Sequence, residues 1–304
     1  MKHVTLITTC TGRKRVLPKE EAHFRNVPKW DPDAAARHWL SQLAGLGRTR
    51  ADKMYSGRGF AEARRAAELL GAPLKIISAG LGLVDAEAEV PSYEATISPG
   101  LPNAIPTHLG IAPDHWWAVL KQYQRFEWPS GCRLLLIAAS GSYLQMVERD
   151  LLTLPVERLR LFTRTEVGAL PADLRSAVMP YDDRLEAEGG RPGTVADFAQ
   201  RAMADFTQFI LPNSFTGGVE DHAALVRSRL EPLAAPMKRV GRRATDDEIR
   251  AAIGVHYHAV GGQSSRMLQK LRRELGIACE QSRFRDLFNN FEELQGEGME
   301  CLPL

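Results

Sequence analysis

Three short apolar runs set the terms for this chain. "HVTLITT" (residues 3–9), "PLKIISA" (73–79) and "CRLLLIAAS" (132–140) are continuously hydrophobic, and each stops in small polar residues. Alternating patterns mark strands with one wet face, whereas continuous ones mark strands covered on both. The segments between them carry helical periodicity. From Tyr55 to Leu70, for example, Phe60, Ala63, Ala67 and Leu70 share one face. Strands alternating with helices predict an α/β fold, a mostly parallel sheet of four to five strands flanked by helices. Two weaker runs, "RLRLFT" (158–163) and "RSAVMPY" (175–181), complete the expected strand set.

A sheet of this kind places its working crevice beyond the carboxyl ends of the strands. Here those ends read Thr8-Thr9-Cys10-Thr11, Ser78-Ala79-Gly80 and Ser140-Gly141-Ser142. Cys10, Thr11, Ser78, Gly80, Ser140 and Tyr143 are therefore expected to floor a ligand site. The alternative for each small residue is that it only makes a turn. "TTCTGRKR" (8–15) adds hydroxyls, a glycine and consecutive cations. Arg13 and Lys14 beside such a turn can hold phosphate oxygens, although the spacing is not that of a GxxxxGK[ST] phosphate loop. Tyr55 and Ser56 stand just before the next helix, and Arg58 extends the basic surface.

The stretch "IISAGLGLVDAEAEVPSYEAT" (76–96) joins a strand end to four acidic residues, Asp85, Glu87, Glu89 and Glu94. Cleavage of an N-glycosidic bond needs a carboxylate to activate water or to stabilise an oxocarbenium-like sugar. It also needs a surface on which a base can stack. Asp85 and Glu94 are the preferred catalytic candidates, because each follows an apolar or aromatic anchor, Val84 and Tyr93. Tyr93 is the expected stacking ring, with Gly80 and Gly82 giving backbone access. "MPYDDRLEAEGG" (179–190) repeats the tyrosine-and-carboxylate theme. Asp182 or Asp183 would face the same crevice or pair with Arg184.

Net charge is only +2 over 304 residues, so the distribution of charge matters more than its sum. After "GGRPG" (189–193) a helix, "TVADFAQRAMADFTQFI", is expected to close a first domain spanning 1–211, and "LPNSFTGG" (211–218) reads as a linker. The remainder, 219–304, reads as a helical domain of the helix-turn-helix kind. Residues 222–285 hold 13 Lys or Arg against 6 Asp or Glu. In "GGQSSRMLQKLRREL", Met267, Leu268, Leu271 and Leu275 form the expected buried stripe, and Ser264 or Ser265 the cap. Arg266, Lys270 and Arg273 form an outer face suited to nucleic acid. A second helix packs behind through Phe284, Leu287, Phe288 and Phe291. The four cysteines (Cys10, Cys132, Cys279, Cys301) form no CxxC pair and read as free thiols of a reducing compartment. No metal or cofactor is expected. With neither a signal segment nor a membrane-length apolar run, a cytoplasmic monomer is expected.

Taken together, "LITTC…RKR", "MYSGRGFAEARRAAELLG" and "IISAGLGLVDAEAEVPSYEAT" resemble a family of bacterial and phage domains in the uracil-DNA-glycosylase-like α/β group. Within it the chain is similar to anti-phage DNA glycosylases that excise glucosylated hydroxymethylcytosine from phage DNA. The resemblance covers residues 3–100, and 130–205 more loosely. It implies a four-stranded parallel sheet with a base pocket at the strand ends, and DNA as partner. "TTCTGRK" stands where uracil-DNA glycosylases carry a Gly-Gln-Asp-Pro-Tyr loop, so the carboxylate is sought in the turn after the second strand instead. Two other readings compete, a non-enzymatic DNA-binding or regulatory protein and a nucleoside or tRNA-base transferase.

Overall fold

The computed structural model describes residues 3–235 and 241–299, with 292–299 by backbone alone. Five strands form the main sheet: β1 (Val4–Thr9), β2 (Leu74–Ser78), β3 (Gly82–Asp85), β4 (Leu134–Ala138) and β5 (Leu159–Phe162). Their order is β3-β2-β1-β4-β5. The β2–β1, β1–β4 and β4–β5 pairs are parallel, and β3 runs antiparallel to β2. The expected α/β sheet is therefore present as a five-stranded, mostly parallel one. The interior strand β4 is buried at every position, as its unbroken "LLLIA" requires.

Helices α1 (Pro32–Ala44), α2 (Arg58–Leu70), α3 (Pro113–Gln124), α4 (Gly141–Leu151), α5 (Phe198–Asp205) and α6 (Val219–Leu230) surround the sheet. From β1 the chain reaches β2 through α2, and from β4 it reaches β5 through α4, moving outward in opposite directions. Right-handed crossovers then set α2 and α4 on opposite faces. Accordingly, α2 packs with α5 on one side, and α1, α3 and α4 pack together on the other. The buried face of α2 is Phe60, Ala63, Ala66 and Ala67. The helix begins at Arg58, with Tyr55 and Ser56 ahead of it as expected and Gly57 at φ 101° as its N-cap. Every residue of α5 is buried. Pro212 lacks an N–H and crowds the carbonyl four residues back, and the helix widens after Asp205 into a π turn, Phe206–Ile210.

Two sequence expectations fail in this unit. "RSAVMPY" is not a strand. Ala172–Arg175 is a helical turn, and only Leu161 and Val178 form an isolated bridge. The 211–218 stretch is not a linker, and 211 is not a domain end. Ala223, Val226 and Leu230 of α6 belong to the first core, and the chain divides into units Met1–Pro236 and Met237–Leu304. The stretch is pinned by a fully buried guanidinium. Arg160 donates through Nε to His222 Nδ1 at 2.7 Å and through Nη2 to the Gly217 carbonyl at 3.1 Å. His222 Nε2 in turn reaches the Ser214 carbonyl at 2.6 Å, and Arg133 donates to the Thr216 carbonyl at 2.7 Å. A glycine-rich sequence looks like a linker when the arginines that hold it lie far away in the chain.

The second unit holds α7 (Asp246–His256), α8 (Ser264–Arg273) and α9 (Gln281–Met299), with a two-stranded parallel ladder between Arg242–Arg243 and Ile277–Ala278. Thr245 and Glu248 form a reciprocal cap at α7. Ile249, Ile253, Met267, Leu271, Phe284 and Phe288 make its core, with Leu268 and Phe291 packed partly against it. Leu275 lies beyond α8 and is 38% exposed, so it leaves the expected stripe. Neither Ser264 nor Ser265 caps α8, whose N-cap is Gln263 without a side-chain bond. Cys10, Cys132 and Cys279 are free thiols, and Cys301 lies outside the described residues. Among the described residues no helix is long and apolar enough to cross a membrane.

The Arg160–His222 contact has a pH consequence. Because Arg160 donates to Nδ1, His222 must be neutral there, and burial pushes its pKa below the usual 6.5. The unfolded chain takes up that proton first, so stability falls as pH drops through about 6.5. The thermal midpoint followed by circular dichroism should decline between pH 7 and about 5.5. In His222→Gln, which keeps an acceptor for Arg160 but cannot titrate, that decline should flatten.

Candidate functional site

Loop 10–15 leaves β1 and is held against residues 54–57. Thr11 Oγ1 lies 2.7 Å from the Arg13 carbonyl and 2.9 Å from that of Ser56, while Arg15 N–H donates to the Met54 carbonyl at 2.9 Å. Lys14 bridges Tyr55 in an antiparallel pair. This geometry alternates the side chains. Arg13 is exposed, whereas the Lys14 side chain is only 3% exposed. Lys14 Nζ sits 3.6 Å from Glu94 Oε2 and 4.9 Å from the centre of the Tyr93 ring. The expectation that Lys14 contacts phosphate is corrected, since its charge is turned inward onto a carboxylate.

Beneath this pair lies a hydroxyl network. Tyr93 OH is 2.8 Å from Tyr55 OH and 2.5 Å from Ser78 Oγ, and Ser78 Oγ accepts the Leu81 N–H at 2.9 Å. Tyr143, in the first turn of α4, places its OH 3.1 Å from Cys10 Sγ. Burial pushes the Tyr55, Tyr93 and Tyr143 phenols well above their ordinary range, so all stay protonated at neutral pH. Tyr93 and Tyr55 are 0% and 1% exposed. Neither is a surface for an incoming base, which corrects the stacking role expected of Tyr93. The glycines are corrected with it. A Cβ on Gly80 would stand 2.7 Å from Tyr93 Cε2, and one on Gly82 would collide with Phe126. These glycines make room for the protein's own rings. The neighbouring carbonyls are also taken, Gly80 O by Trp39 Nε1 at 2.9 Å and Ala79 O by Trp116 Nε1 at 2.8 Å.

The acidic residues separate sharply. β3 pairs Asp85 with Lys75 at the start of β2, and the side chains form a 2.6 Å ion pair. Asp85 thus stands at the amino end of β2, about three residues or roughly 10 Å along the strand from Ser78. Glu87 is 81% exposed and meets Arg50, and Glu89 is also exposed. Glu94 alone returns to the strand ends. Its backbone pairs with Ala22 and Phe24, and one carboxylate oxygen lies 4.0 Å from where a Cβ on Gly12 would be. The carboxylate is 28% exposed, so it reaches solvent while Lys14 holds it from below. Of the two catalytic candidates, only Glu94 joins Cys10, Thr11, Tyr55, Ser78 and Tyr143.

On the other side of β1, a cavity of about 400 Å³ opens at the ends of β1, β4 and β5. Thr9, Ser140, Gly141, Thr163, Thr165 and Gln200 are among its walls. Gln200 Nε2 donates to Thr8 Oγ1 at 3.2 Å, and its Oε1 has no partner. A neighbouring cavity of about 470 Å³ shares Thr163, Arg164 and Thr165 and reaches Asp182. Asp182 caps its own turn and pairs with Arg184 at 2.8 Å, while Asp183 pairs with Arg164. Arg58 is half exposed and lies 3.4 Å from Asp197. Sequence reasoning missed Gln200, Thr163 and Thr165. No local signal singles out Gln200, because Arg201 and Asp205 stand in the same helix.

In the second unit Arg266 and Arg273 are exposed, whereas Lys270 is tied to Glu274 at 2.5 Å. Among the described residues no group of three or more His, Cys, Asp or Glu side chains is placed to hold a metal ion. A scan against protein-family models matched nothing, and searches of the curated proteins and of the solved structures matched nothing either.

Tyr93 is the middle member of its hydroxyl chain, so Tyr93→Phe removes two buried hydrogen bonds while Tyr55→Phe removes one. Urea denaturation should show Tyr93→Phe less stable by about 2 kcal/mol, and Tyr55→Phe by less.

Proposed function

We propose that the chain is a DNA glycosylase that removes a modified cytosine, of the glucosylated hydroxymethyl kind, from invading phage DNA in the cytoplasm. The observation that carries the reading is the Lys14–Glu94 pair, a solvent-reaching carboxylate backed by a buried cation at the carboxyl ends of a parallel sheet. In the proposed reaction the N-glycosidic bond breaks with its electron pair leaving on the base. Glu94 stabilises the developing oxocarbenium charge and takes a proton from the water that adds at C1′. Lys14 keeps the carboxylate in place.

Three further observations support the reading. Arg13 is exposed on the loop that carries Lys14, and such a cation can meet a phosphate flanking a flipped nucleotide. The 400 Å³ cavity falls in the size range of small-molecule sites, and its threonine and serine walls suit a polyhydroxyl substituent. The separate cationic helical unit supplies sequence-independent DNA affinity.

The test is incubation of the purified chain with genomic DNAs that differ in cytosine modification, without added free base. Released bases are identified by mass and abasic sites by alkaline cleavage. The expected result is free modified base together with alkali-labile sites. Glu94→Gln should slow release by about a hundredfold or more while DNA affinity and thermal midpoint hold, and Asp85→Asn should retain activity. DNA binding without any released base would leave the non-enzymatic reading in force. Base exchange that depends on an added free base would instead identify a transferase.

A further inference from the structure

The sequence places the cationic face of the second unit on α8, through Arg266, Lys270 and Arg273. Local pairing redistributes that charge. Besides the Lys270–Glu274 pair, Arg242 meets Glu248 at 2.6 Å and Arg250 meets Asp247 at 2.8 Å. A different set of cations shares one concavity. The Arg242–Arg243 strand, the last turn of α8, the Ile277–Ala278 strand and the first turn of α9 enclose about 760 Å³, lined by Arg243, Arg272, Arg273 and Arg283. Among the described residues the only carboxylate in that lining is Glu280. It is already engaged, accepting the backbone N–H groups of Ser282 and Arg283 at 3.1 and 3.2 Å.

We propose that this arginine-lined concavity is where the chain grips the phosphodiester backbone of duplex DNA. The proposal rests on the reading of the chain as a DNA-acting protein and assigns the surface that supplies its affinity. Backbone carbonyls orient two of the guanidiniums, and Arg283 also pairs with the Asp246 carboxylate at 2.6 Å. Arg272 donates through Nε and Nη2 to the Cys279 carbonyl at 3.2 and 2.8 Å, which orients its fork through a neutral group. Arg283 donates to the Ala244 carbonyl at 2.9 Å and shares Asp246. Arg243 is exposed and has no partner among the described residues. Oriented forks with unused N–H groups are what bidentate phosphate recognition needs. A single phosphate would use one or two of them. Guanidiniums from three elements around a space this large suit successive phosphates, which a nucleic-acid strand presents at regular spacing.

The test is fluorescence anisotropy of the full chain with a labelled, unmodified duplex, titrated between about 50 and 200 mM salt. The wild type should bind with a steep salt dependence. Arg243→Ala/Arg272→Ala should weaken binding by about tenfold or more and lower the salt slope by about two. Arg250→Ala, an exposed and paired arginine of the same unit, should stay within about twofold of wild type. If the double variant fails to fold by circular dichroism, Arg243→Glu replaces it, because that side chain is exposed and unbonded. About tenfold weaker binding is then expected. Three results would overturn the proposal: no duplex binding by the wild type, equal binding by the groove variants, or an equal loss in Arg250→Ala. Displacement of the duplex by poly-glutamate at matched charge would overturn it too. The probe carries no modified base, so lost excision with normal binding bears on Glu94 alone. Lost binding to this duplex bears on the groove alone.

Discussion

The reversal at Ser78–Gly82 governs what stands at the working end of the sheet. Ser78 Oγ holds the Leu81 N–H, and Gly82 adopts φ 78°, a conformation that favours glycine. β3 then retraces β2 and carries Asp85 to the far end, beside Lys75. The chain returns through Glu89–Pro91, which pairs antiparallel with Arg48–Arg50. That return slides Tyr93 under the turn just left behind and sets Glu94 over Lys14. One hairpin thus sorts acidic residues that are close in sequence to opposite ends of the sheet.

Buried polar groups do the rest of the positioning. A buried donor or acceptor left unpaired is expensive, so each one found paired marks a place where the chain has few alternatives. Arg201 is fully buried and meets Asp197 and Glu186, each at 2.6 Å, and the Thr194 carbonyl at 2.7 Å. It thereby clamps the 186–197 segment to α5. A Cβ on Gly193 would collide with its guanidinium. Arg160 performs the same task for 214–217 at the sheet edge. Lys14, Arg160 and Arg201 would each pass in a sequence for ordinary surface cations. Lys14 and Arg160 meet partners distant in the chain, Glu94 and His222, so their burial follows from topology.

The same reasoning explains which parts of the site could be read in advance. The strand-end residues Cys10, Ser78, Tyr55 and Tyr143 were legible because strand ends are marked by a change from apolar to small polar residues. Their role was not legible, because a tyrosine beside a glycine can either stack a ligand or fill the space that the glycine leaves. Here the ring fills the space. In the second unit the amphipathic stripe of α8 was legible at Met267, Leu268 and Leu271. Which arginines remain uncompensated was not, since that depends on whether a carboxylate sits one helical turn away or a carbonyl approaches from another element.

Local pattern alone determined the α/β class, the four parallel strands and the helical character of the last third. Continuous apolar runs and helical periodicity are properties of neighbouring residues, and burying them on both faces leaves few architectures. Tertiary structure decided the attachment of 211–230 to the first unit and the placement of Glu94, rather than Asp85, at the carboxyl ends of the strands. Each of these depends on one side chain meeting a partner tens of residues away. A distance of that kind is set by the path of the chain, and no local pattern encodes it.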